Sequence, residues 1–160
     1  MTATLSKGLL SAQKRGRAPA GIQYAGEPGV TQTCVEAIVR LIQCRADIHK
    51  ARLLTAGSRH AFLLTLPLET AVGVKTGFRS GYPGEGPSGL SRAVALLDFH
   101  GVEIDAYTVD AELIDRLDAS ALTNDDLSFL TSQRPVRPQR WHESILGRDL
   151  SRQRNGTIWE

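Results

Sequence analysis

Gly77-Phe78-Arg79-Ser80-Gly81-Tyr82-Pro83-Gly84-Glu85-Gly86-Pro87-Ser88-Gly89 places five glycines and two prolines between an alternating apolar segment and an apolar helical stripe. Upstream, Val72, Val74, Thr76 and Phe78 share one face with Gly73, Lys75 and Gly77 opposite, the period of two that marks a strand. Downstream, Leu90, Ala93, Val94 and Leu97 recur at helical spacing, and His100-Gly101 supplies a stop. The quoted stretch is therefore a strand-to-helix loop. Glycine there permits positive φ and close approach of another group to the main chain, while proline fixes φ and removes a donor.

Before this segment, Phe62, Leu64, Leu66 and Leu68 alternate as a preceding strand, with a hairpin at 67–70. Pro67 cannot donate a ladder hydrogen bond, so that strand either lies at an edge or ends by Pro67. A third strand is expected at 102–107, with Val102, Ile104 and Ala106 toward the core and Glu103, Asp105 and Tyr107 toward water or a partner. Residues 31–50 carry Cys34, Val35, Ile38, Val39, Leu41, Ile42 and Ile48 on one half of a helical wheel. Arg45 and His49 fall on that apolar half near the expected helix end, where they would cap carbonyls and snorkel. Asp110 and Thr123 each precede an apolar run as N-caps of short helices at 111–117 and 124–130. The expected class is α+β: a small antiparallel or mixed sheet of about three strands, covered by helices mainly on one face, in the order α-β-β-α-β-α-α.

The 160 residues suit one domain. Residues 1–29 read as a flexible basic arm, 30–131 as the α+β domain, and 132–160 as a basic tail containing Pro, Arg and Trp. No apolar run nears the roughly 20 residues that span a bilayer, and no apolar stretch precedes Lys14, Arg15 and Arg17, so a cytoplasmic location is expected. Cys34 and Cys44 on one helix would stand about 15 Å apart, beyond disulfide reach. His49, His60, His100 and His142 are scattered, so neither a metal nor a cofactor is expected. Charge is segregated: residues 85–126 hold ten carboxylates against Arg92 and Arg116, whereas both ends are basic.

Gly84-Glu85-Gly86-Pro87-Ser88-Gly89 matches the GxGxxG pattern, with Glu103 and Asp105 roughly 20 residues beyond. In that reading Gly84, Gly86, Ser88 and Gly89 cradle a nucleotide phosphate at a helix N-terminus, assisted by Lys75 or Arg79. Against it, the strand ends near Phe78 and Pro87 deletes an amide. The P-loop spacing fails too, because Leu90 stands where the phosphate-binding lysine belongs. Ser91, Asp98 and His100 are neighbours only along the chain, so no catalytic residue is assigned and enzymatic activity is left open.

In the tail, Arg134, Arg137, Arg140 and Trp141 form the candidate partner surface, since Trp and Arg are favoured interface anchors. The sequence thus points to a non-catalytic cytosolic subunit or adaptor working through protein contacts or self-association as an oligomer. The alternatives are a nucleotide-binding or phosphate-binding sensor or enzyme using the glycine-rich loop at 77–89, and nucleic-acid binding through the basic termini.

Overall fold

A computed structural model describes residues 19–81 and 84–136. One sheet of five strands forms the centre, with β1 at Gln23–Ala25, β2 at Lys50–Ala56, β3 at Arg59–Thr65, β4 at Ala71–Arg79 and β5 at Glu103–Thr108. The spatial order is β1-β4-β3-β2-β5. β2, β3 and β4 form an antiparallel meander, while β1 and β5 join its two sides in parallel. Four helices complete the described chain: α1 at Thr31–Gln43, α2 at Glu85–Phe99, α3 at Ala111–Asp118 and α4 at Asn124–Ser132.

The mixed α/β character agrees with the sequence expectation, but the sheet has five strands rather than about three. Each missed strand has a physical reason. In β2, Leu53 and Leu54 are adjacent yet both buried, because they enter separate cores on opposite faces of the sheet. A strand buried on both faces shows no alternation. β1 has three residues, too few for a period, and is defined only by its pairing of Gln23, Tyr24 and Ala25 with Val72, Gly73 and Val74. It falls in the stretch assigned to the arm, where Ala20 is also buried and donates its N–H to Leu122 O at 2.7 Å.

Helices cover both faces, which corrects the one-sided expectation. One core joins α1 and α2 to the sheet through Val35, Ile38, Phe62, Phe78, Leu90 and Leu97. The other places Leu113, Ile114, Leu117 and Leu130 of α3 and α4 against Leu54, Leu63 and Tyr107. Tyr107 and Asp105, expected to face water, are consequently only 3% and 5% exposed. Asp105 is compensated by Lys50 Nζ at 3.1 Å.

Three helices end in the same hydrogen-bond pattern, a left-handed residue with paired 6→1 and 5→2 bonds. Gly101 (φ 74°) makes the α2 stop visible in the sequence. Arg45 (φ 56°) and Ser120 (φ 57°) do the same work for α1 and α3 without a glycine to announce it. At Arg45 the bonds run from Ala46 N to Leu41 O and from Arg45 N to Ile42 O. The helix expected over 31–50 therefore stops at Gln43, and Arg45 and His49 lie beyond it; His49 pairs with Asp47 at 3.2 Å. Buried Cys34 and exposed Cys44 are both free.

β3 ends at Thr65, before Pro67, and the expected hairpin is present. Its central residues Leu68 (φ 62°) and Glu69 (φ 57°) occupy a type I′ geometry that Asn-Gly fills with less strain. Leu68 is 94% exposed, so it gains no burial in return. The double substitution Leu68→Asn, Glu69→Gly is expected to stabilise the fold by about 1–2 kcal/mol, read as a rise in the urea midpoint with unchanged slope.

Candidate functional site

The six residues of the phosphate reading are spread over β4 and the start of α2. Lys75 Nζ stands 5.9 Å from the Tyr24 ring centroid, and Arg79 ends β4 beside Arg59. Gly84 is extended at φ 165°, a conformation open to any residue; Gly81, at φ 88°, is the glycine here that uses positive φ. Gly86 and Gly89 are buried in α2. A Cβ on Gly89 would lie 2.1 Å from Thr31 Cγ2, so this glycine lets α2 approach α1. Ser88 and Gly89 border a groove of about 350 Å³ between the two helices, whose charged lining residues are Glu36, Glu85 and Arg92. Two carboxylates against one guanidinium give an anion no net attraction there. Tyr82 and Pro83 lie outside the described residues.

Chain folding assembles a polar cluster with no local sequence signature. His60 on β3 is 4% exposed, with Nε2 2.7 Å from Ser80 Oγ and Nδ1 2.9 Å from Thr55 Oγ1. The arrangement has the outline of a nucleophile, a base and an orienting group, but the chemistry is wrong for catalysis. Burial, reinforced by the Arg79 charge, lowers the His60 pKa to about 4. So weak a base draws little proton from serine at neutral pH, and a threonine hydroxyl cannot stabilise an imidazolium as a carboxylate does. The cluster instead ties β2, β3 and the end of β4 together. The sequence signal was parity: His60 shares the strand face of Phe62 and Leu64.

A folded pKa below the unfolded value of 6.5 means that the unfolded chain binds the proton first. This stabilisation is complete above pH 6.5 and is lost as pH falls from 6.5 toward 4, amounting to about 3 kcal/mol in full. Urea unfolding at about pH 7.5 and 4.5 is expected to show that loss in the native chain and to lack most of it in His60→Gln, which removes this imidazole. Cys34 offers no alternative nucleophile, because burial pushes its thiol pKa up.

The surface feature with the size and chemistry of a recognition site lies at the edge of the sheet. β1 is an outer strand, and between it and α1 runs a groove of about 460 Å³. Ala25, Ala37, Leu41 and Val72 supply its apolar lining, Glu27 and Glu36 two carboxylates, and Arg40 one opposing charge, while the Tyr24 ring lies on the other face of the sheet with its hydroxyl accepting from Leu122 N at 2.9 Å. Edge strands of this kind recruit extended peptides. At the other edge, Val136 donates its N–H to Ala106 O of β5 at 2.7 Å. Of the candidate partner residues, Arg134 is exposed there, and Arg137, Arg140 and Trp141 lie outside the described residues. Among the described residues, no group of three or more His, Cys, Asp or Glu side chains could hold a metal, and no helix is long and apolar enough to cross a membrane.

No family model matches this chain, and no curated protein does. Among solved structures, a chain in respiratory complex I from Thermus thermophilus is similar over 73% of this chain and 97% of its own length, with a TM-score of 0.57 and 21% identity. At that identity the likeness is one of fold.

Proposed function

We propose that this chain is a non-catalytic subunit or adaptor of a larger assembly, located in the cytoplasm and acting through protein contacts that include self-association. The observation that carries the reading is charge segregation on a folded body with an open sheet edge. Residues 19–136 hold fourteen carboxylates against ten Lys and Arg, a net of −4, while the two flanking stretches together hold +6. Opposite charge on body and ends steers one protein onto another, and the groove beside β1 offers an extended segment a place to lie. The fold likeness to a chain of a respiratory complex supports a subunit role without specifying partners.

The test is recovery of the tagged full-length chain from its native host at low salt. A stoichiometric protein partner, or a higher oligomer, is expected in about 50 mM salt and should weaken at several-fold higher salt as the charges are screened. Arg134→Glu combined with Arg137→Glu and Arg140→Glu should reduce recovery at least tenfold. A strict monomer with no stoichiometric partner under both conditions would overturn the proposal.

A further inference from the structure

We infer that the edge formed by β1 and α1 pairs with the same edge of a second copy about a two-fold axis, so that the two sheets join through antiparallel β1 strands and the two α1 helices pack side by side. The inference rests on the self-association proposed above and deepens it by naming the surface.

The strand half of this edge is open. An outer strand presents N–H and C=O groups on the side away from its neighbour. Among the described residues, no hydrogen bond beyond the β1–β4 ladder uses a backbone group of Gln23, Tyr24 or Ala25.

The helix half runs beside it in the opposite direction. β1 is parallel to β4, β4 antiparallel to β3, and β3 antiparallel to β2, so β1 and β2 point the same way and the helix linking them must return. Thr33, Glu36, Ala37, Arg40 and Leu41 are the residues of α1 that border the groove beside β1.

The charges on that face select the occupant. Glu36 and Arg40 are exposed one turn apart; Glu36 accepts from Gln32 Nε2 at 3.0 Å, and the Arg40 guanidinium has no ion pair or hydrogen bond among the described residues. An axis at the height of Ile38 leaves each of them two residues, about 3 Å, to one side. Antiparallel copies of α1 about this axis therefore set Glu36 of each opposite Arg40 of the other, two ion pairs from one symmetry operation. A parallel mate would place Glu36 on Glu36 and Arg40 on Arg40. Ala37 and Leu41, half-buried in the single chain, gain cover between the helices, and the small side chain of Ala37 favours close approach. A foreign extended segment would use the strand edge alone, whereas the Glu36 and Arg40 arrangement is complementary to itself.

Sedimentation velocity on the full chain at low salt tests this. The native chain is expected to dimerise. Glu36→Arg sets Arg40 against a second guanidinium, and Arg40→Glu sets Glu36 against a second carboxylate, so each should weaken the dimer at least about tenfold. Mixing the two variants restores opposite charges at both contacts, and a heterodimer should form where neither variant dimerises alone. Both substitutions in one chain should restore the homodimer. Oxidation with diamide locates the axis: Ala37→Cys in a Cys44→Ser background should give a covalent dimer, whereas exposed Cys44 of the native chain, about 18 Å from its mate, should not. If both charge reversals leave the native association intact, the interface lies elsewhere, the inference is overturned and the proposed function stands. A monomeric native chain also overturns the inference, and the host-recovery experiment then decides the broader proposal. Recovery of a different protein that Glu36→Arg abolishes would give this edge to a foreign partner and overturn the second copy as its occupant.

Discussion

Asp126→Ala is expected to lower stability by about 3–4 kcal/mol, more than an ordinary surface ion pair could account for. Asp126 is 6% exposed, and its two oxygens accept from Arg116 Nε at 2.8 Å and Nη2 at 2.7 Å. The same carboxylate accepts from Thr123 N at 2.9 Å, while Asp126 N donates to Thr123 Oγ1 at 3.1 Å, a reciprocal cap on the first turn of α4. Alanine therefore takes the partner from a half-buried guanidinium and removes a cap in one step. Burial by itself would raise the Asp126 pKa, but the bonds from Arg116 and Thr123 outweigh it and hold the pKa below the ordinary carboxylate value. This stabilisation is complete above the ordinary carboxylate pKa and is lost as pH falls below it, a more acidic window than that of His60. Asp126→Asn keeps an acceptor for Thr123 and should cost about half as much. Urea unfolding of Asp126→Ala, Arg116→Met and the double variant should give a coupling energy of about 2 kcal/mol. A coupling near zero would show the pair to be incidental.

Gly77→Ala is the second large effect, expected to cost about 3 kcal/mol or to prevent folding. A Cβ there would lie 2.5 Å from Val30 O and 2.7 Å from Cys34 Sγ. The carbonyl cannot swing aside, because this junction is tied on both sides of Val30. Gly29 N donates to Thr76 O at 2.6 Å, and Thr31 Oγ1 donates to Gly77 O at 2.6 Å. Relief requires α1 to lift from the sheet, which would expose Cys34, now fully buried. The variant should therefore pair a lowered urea midpoint with faster thiol labelling of Cys34 under native conditions. Gly21→Ala is the control, since a Cβ there meets nothing within 4 Å, and its effect should stay within about 0.5 kcal/mol. Equal stability of the two variants would remove the steric account of Gly77.

Whatever depends on short-range chemistry was readable along the chain. The period of two over 72–78 placed β4, Asp110 and Thr123 marked two helix starts, and Gly101 marked the end of α2, because caps and alternation are settled among residues a few positions apart. The basic spacing of Arg134, Arg137 and Arg140 was legible for the same reason. The remainder came from contacts between distant parts of the chain. They revealed β1 through a parallel pairing to β4 across nearly fifty residues, and β2 by burying Leu53 and Leu54 in opposite cores. They brought His60 to Thr55 and Ser80, and they set Gly89 against Thr31. The groove beside β1 has the same origin: Tyr24 and Glu36 sit on a strand and a helix whose relative placement is set by the two buried faces of the sheet, and no local pattern records which surface remains open once both are covered.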